Sequence, residues 1–179
     1  MYFEHQAGKD CVIHSWNNMV GERELTLAKM KETAQKMSKK IPRKNRAEYL
    51  AQLIGENGIS PNVLYAYLKE KGVYKTISVR ERFHNITTLR EMWNHNPAFI
   101  LLGTVVNEKY RHSIGIRRVF ENGKPKLLLY DSELKEPVSI DTFKQYKPAF
   151  ERYKITSVTA VYTLKTVLPV QKNEIIIID

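Results

Sequence analysis

Asn122-Gly123 restricts the fold of this chain more tightly than any other pair of residues. Both residue types accept the positive φ that a two-residue hairpin turn demands. The segments on either side, His112 to Phe120 and Pro125 to Asp131, have strand character, so the sequence predicts a β-hairpin with a fixed register. That register pairs Ile114 with Asp131, Ile116 with Leu129 and Arg118 with Leu127. Side chains alternate along a strand, so one face reads His112, Ile114, Ile116, Leu127, Leu129, Asp131. The face is apolar except at one end, where an imidazole and a carboxylate stand as diagonal neighbours within reach of each other. A slip of one residue would put the two on opposite faces, so their partnership depends on the turn.

The second constraint is the only cysteine, Cys11, within Gln6-Ala7-Gly8-Lys9-Asp10-Cys11-Val12-Ile13-His14-Ser15-Trp16-Asn17-Asn18. Asp10 is a suitable N-cap, and Val12, Ile13, Trp16, Met19 and Val20 make a helical apolar stripe ended by Gly21, which leaves Cys11, His14 and Asn18 on another side. The helix therefore begins at the thiol, where unpaired N–H groups and the helix dipole favour the nucleophilic thiolate. Gln6 offers an amide donor of the kind an oxyanion hole requires. A lone cysteine is most often a small buried hydrophobe. Here Cys11, His112 and Asp131 together outline a nucleophile, a base and an orienting group. Among the other histidines, His5, His84 and His95 have no evident partner and read as surface groups.

The pattern Gln-x-Gly-x-x-Cys-x-x-His-x-x-Asn-Asn, carried by Gln6, Gly8, Cys11, His14, Asn17 and Asn18, resembles the start of a Josephin domain, the papain-like cysteine protease fold of a small class of deubiquitinating enzymes. Gly58 to Gly72 resembles a later helix of that family, and the segment from Arg111-His112 to Arg118 resembles the strand that begins at its catalytic histidine. The resemblance implies an α+β papain-like fold and a substrate that is ubiquitin, a ubiquitin-like modifier or another protein. It also implies a structural role for His14 beside the nucleophile. Asp131 departs from the family, where asparagine is usual at this site; a carboxylate holds imidazolium more strongly and preserves a thiolate–imidazolium pair.

At 179 residues and 42% hydrophobic, with no Pro- or Ser-rich linker, the chain suits one domain, residues 1–179. One cysteine excludes an internal disulfide framework and a cysteine-rich zinc site, and no metal or organic cofactor is expected. Met1-Tyr2-Phe3-Glu4-His5 lacks the charged-then-apolar order of a signal peptide, and no apolar run approaches a membrane span. A reducing intracellular compartment, cytoplasmic or nuclear, fits a free catalytic thiol. The 29 Lys and Arg against 19 Asp and Glu give a net charge of +10, which favours anionic partners.

Between Glu22 and Ile54 the pattern predicts two helices joined by a basic loop, with Leu25, Leu27, Met30, Ala34 and Met37 as a loose apolar stripe. The loop's Lys39, Lys40, Arg43, Lys44 and Arg46 make the densest basic run and a candidate nucleic-acid edge. In Josephin domains this region is a hairpin that borders the substrate. Ser60-Pro61 starts a helix that ends at Gly72, and strands are expected over Val73 to Val79, Ala98 to Val106, Ile155 to Leu164 and Glu174 to Asp179. Short helices are expected from Thr87 or Thr88 through Trp93 and over Asp141 to Tyr153. The favoured activity is hydrolysis of a peptide or isopeptide bond by Cys11, His112 and Asp131, with Gln6 at the oxyanion. The alternatives are a maturation-type peptidase on the same scaffold and a non-catalytic binding or structural protein with a basic surface.

Overall fold

The computed structural model describes residues 3–5, 8–56, 58–72, 74–79, 97–105, 111–140 and 154–163. Helices α1 (Cys11–Val20), α2 (Leu27–Ser38), α3 (Arg46–Leu53) and α4 (Pro61–Lys71) come first, with a two-stranded ribbon of β1 (Ile54–Gly55) and β2 (Gly58–Ile59) between α3 and α4. Strands β3 (Tyr74–Val79), β4 (Phe99–Val105), β5 (Arg111–Glu121), β6 (Lys124–Tyr130), β7 (Val138–Ile140) and β8 (Lys154–Thr163) then form one antiparallel sheet in the order β3-β8-β4-β5-β6-β7. The protein is therefore a mixed α and β structure. Gln6, the two short helices and the terminal strand expected from the sequence lie outside the described residues, as do His84 and His95.

Local chemistry accounts for the helix boundaries. Ser60 and Pro61 open α4 and Gly72 closes it at φ 69°, while Thr26 caps α2 by accepting from the Lys29 N–H at 3.3 Å. In the stripe of α2, Met30 and Ala34 are buried, but Leu27 is exposed because the helix only begins there; Leu25, ahead of the helix, is buried instead. Helix α1 is covered on nearly all sides: Cys11, Ser15, Asn17 and Asn18 are buried along with Val12, Ile13, Trp16 and Met19. It is thus a central helix rather than an amphipathic surface one. Trp16 packs edge-on against Tyr74 and Phe99, at centroid distances of 5.2 and 5.5 Å.

The β5–β6 hairpin has the predicted two-residue turn, with Asn122 at φ 52° and Gly123 at φ 75°. Its register pairs Ile116 with Leu129 and Arg118 with Leu127. Both faces of the sheet are buried. Gly115 sits against Met19, and Leu101, Leu128, Tyr130 and Val161 join the helices in one core. Ile100, Leu102, Ile114, Ile116, Leu129, Ile140, Val158 and Ala160 alternate with these and are buried on the opposite face. His112 pairs with Thr104 and belongs by parity to that second face.

Candidate functional site

The site begins with the contact between α1 and β5. Ser15 Oγ donates to the Ser113 carbonyl at 2.6 Å, Met19 lies over Gly115, and Arg117 Nη1 donates to the Met19 carbonyl at 3.0 Å. Helix and strand therefore run in the same sense. Cys11, one turn before Ser15, comes level with the first residues of β5. Gly115 is what permits this approach, since a Cβ there would fall inside the van der Waals envelope of the Met19 side chain. Arg117 completes the fit by placing a cation at the carbonyl end of α1.

His112, the second residue of β5, is thus brought to the rim of the sheet, level with the start of α1. Its Nε2 lies 2.7 Å from Asp131 Oδ1, and both side chains are buried. Cys11 lies close enough to the ring to raise its pKa. With Nε2 committed to Asp131, Nδ1 is the nitrogen left to exchange a proton with sulfur. Burial pushes the imidazole pKa down, but hydrogen bonds to Asp131 and Cys11 and the charges of both outweigh it, raising the pKa from 6.5 to about 9. Asp131 is itself fixed by a turn: Oδ1 accepts from the Glu133 N–H at 3.0 Å, and its carbonyl accepts from the Leu134 N–H at 3.0 Å. The side-chain contact expected of the hairpin is present. The face that carries it is the opposite one from the face α1 covers, so His112 meets Cys11 around the sheet's end.

The remaining polar residues of the opening motif converge elsewhere. His14 Nδ1 lies 3.0 Å from Glu4 Oε1, and the same oxygen accepts from Asn17 Nδ2 at 2.8 Å. Asn17 also bonds both backbone groups of Leu25, at 3.0 and 2.7 Å, and Asn18 bonds both backbone groups of Glu4, at 2.7 and 3.0 Å. His14 is therefore committed to Glu4, away from the His112–Asp131 pair, and exposed His5 stacks edge-on with Phe3. No sequence signal marked the Glu4 contacts, although Glu4 stands two residues before Gln6. Asp10 occupies the N-cap position as expected, but its side chain makes no capping hydrogen bond.

His112, Asp131 and Glu133 offer ligand atoms within 4.8 Å of one another, a geometry open to a metal ion. As they stand, Nε2 and Oδ1 bond each other directly, and Glu133 is exposed. No helix among the described residues is long and apolar enough to cross a membrane. No protein-family model matches this chain, and no curated protein matches it significantly.

Proposed function

We propose that the protein is a cysteine peptidase of papain-like fold, with Cys11 as nucleophile, His112 as proton carrier and Asp131 as the group that orients it. The observation that carries this reading is the buried 2.7 Å contact between His112 and Asp131, with the only cysteine close enough to the same ring to raise its pKa. A pKa of about 9 keeps the imidazole charged at neutral pH, and the peptidase reading pairs that charge with sulfur as the nucleophile.

The reaction follows from those states. The thiolate attacks the scissile carbonyl, a C–S bond forms, and the carbonyl π electrons move onto oxygen. The Cys11 N–H at the start of α1 faces outward from the helix ladder and serves that oxyanion, with Gln6 as the second donor. Collapse of the adduct breaks the C–N bond, and the leaving amine takes the proton from His112. Neutral His112 then deprotonates a water, which attacks the thioester and returns the sulfur as thiolate. The Josephin resemblance favours ubiquitin or a ubiquitin-like modifier as substrate; a maturation-type peptidase would use the same steps.

The test is a fluorogenic peptide library with a ubiquitin conjugate in parallel, assayed on wild type and Cys11→Ala. Cleavage by wild type alone is the expected result. If neither protein cleaves and iodoacetamide modifies Cys11 no faster in wild type than in His112→Ala, the non-catalytic reading replaces this one.

A second reading concerns the loop between α2 and α3. Lys39, Lys40, Arg43 and Lys44 are exposed there and none forms an ion pair among the described residues, whereas Arg46 donates to the Ile41 and Lys39 carbonyls at 3.1 and 3.2 Å. Arg46 is thus part of the loop's own structure, and the four cations it braces are the nucleic-acid edge.

A further inference from the structure

We propose that Glu4 is a positioning residue for the peptidase reaction: together with His14, Asn17 and Asn18 it clasps residues 3–5 onto α1 and so steadies the helix that starts at Cys11. The inference rests on the peptidase reading above and adds a residue that the resemblance does not assign.

A helix whose first residue is the nucleophile needs its start held in place. The usual local device is missing here, because the Asp10 side chain makes no cap hydrogen bond. Two other ties stand in for it. On one side, Lys9 rests on the β1–β2 ribbon: its carbonyl occupies the space a Cβ on Gly58 would need, and its Nζ donates to the Glu56 carbonyl. On the other side is the clasp. Asn18 uses its amide as a strand uses a backbone, accepting from the Glu4 N–H at 2.7 Å and donating to the Glu4 carbonyl at 3.0 Å. The Glu4 carboxylate takes Asn17 Nδ2 at 2.8 Å and lies 3.0 Å from His14 Nδ1.

Both asparagines are buried at 1% exposure, so every group they offer has to be paired for the helix to sit as it does. Asn17 is also tied to Leu25, which makes the clasp one network with the chain leaving α1. Six residues separate Glu4 from Cys11, and Gly8 at φ 133° sets the bend among them. Glu4 and Lys9 are thus each tied down, and the N–H groups at the start of α1 are the ones the oxyanion would use.

The test separates positioning from bulk stability. Glu4→Ala and Asn18→Ala are compared with wild type and Glu4→Gln, using the best-cleaved peptidyl coumarin amide, the matching peptide aldehyde, iodoacetamide and thermal melting. The expected result is a fall in kcat of about 10-fold or more, approaching the ~10²–10³-fold that follows loss of one oxyanion donor, with KM unchanged. Aldehyde affinity should fall in parallel, because the hemithioacetal oxygen occupies the oxyanion position. Iodoacetamide, which makes an S–C bond without an oxyanion, should react at the wild-type rate, and Glu4→Gln should recover most of the activity because it keeps an acceptor oxygen. Unchanged kcat, or kcat falling in step with alkylation and melting temperature, overturns the proposal. If wild type turns over no substrate, the peptidase reading is what fails and the positioning role falls with it. Slow hydrogen exchange at the Glu4 N–H, lost in Asn18→Ala, would then identify the clasp as a structural tie only.

Discussion

Asp131 and His112 hold each other at 2.7 Å in a buried setting, and the sign of their coupling decides how the site responds to pH. The His112 pKa of about 9 lies above its ordinary value of 6.5, so the folded state binds the proton more tightly than the unfolded chain. The stabilising contribution is complete below pH 6.5 and is lost as pH rises through 9. Urea midpoints for wild type should therefore decline across that window, and the decline should vanish in His112→Gln; a flat wild-type profile would show the imidazolium is not held. Asp131→Asn keeps a side chain able to orient the ring but removes the charge that raises its pKa. We expect this variant to retain substantial activity while the alkaline limb of its pH–rate profile moves to lower pH. Asp131→Ala should lie between Asp131→Asn and His112→Ala, which should lose nearly all activity, and Cys11→Ala should lose the whole. An alkaline limb that stays put in Asp131→Asn would remove Asp131 from the triad. This pairing was legible in the sequence because a two-residue turn fixes register and register fixes faces. The Glu4 clasp was not, because its bonds join a segment without periodicity to buried amides whose partners no pattern specifies.

At the scale of elements, the site depends on how closely α1 approaches β5, and one glycine sets that distance. A methyl group at Gly115 would meet the fully buried Met19 side chain, so the helix, the strand or the methionine has to move. Gly115→Ala should destabilise the protein by about 1–3 kcal/mol, the usual range for overpacking a tight contact. It should also lower turnover, since Cys11 rides on the displaced helix. Gly115→Ala combined with Met19→Ala should be less destabilised than the sum of the two single changes, as read by urea denaturation; strict additivity would mean the two residues do not share the space. Other elements show which signals carry. Ser60-Pro61 and Gly72 marked α4 because capping chemistry is local. In β8 the apolar positions Ile155, Val158, Ala160 and Tyr162 break strict alternation after the first, and the cause is a register shift opposite Gly103 and Thr104: Gly103 pairs with Ser157 but Thr104 with Ile155. The bulge is an irregularity that a period of two signals only as a defect. Strands β1, β2 and β7 are two or three residues long, too short for any period to show.

Over the whole molecule the net charge of +10 sets the long-range field, but the field alone does not choose a partner. The loop between α2 and α3 gives it a focus. No acidic residue occurs from Lys36 to Ala47, and Pro42 and a 3-10 turn at Arg43–Asn45 keep the segment compact. Arg43 and Lys44 immediately precede the N-terminus of α3, where the helix dipole disfavours cations, so their placement works slightly against the helix they precede. Lys39 and Lys40 instead follow the C-terminal end of α2, where the dipole favours cations, so the loop concentrates four exposed cations between two helix ends. Arg46 differs in kind because its guanidinium donates to loop carbonyls. Two variants should therefore behave differently. Changing Lys39, Lys40, Arg43 and Lys44 together to Ser should leave the melting temperature near wild type while weakening binding to a duplex oligonucleotide. The slope of log K against log salt should become shallower by about 0.9 for each phosphate contact removed. Arg46→Ala should instead lower stability by about 1 kcal/mol through its lost hydrogen bonds. Fluorescence anisotropy from about 50 to 200 mM salt measures the first effect and denaturation the second. If the fourfold variant keeps both affinity and slope, the run is solvated surface and any oligonucleotide binding belongs to another face.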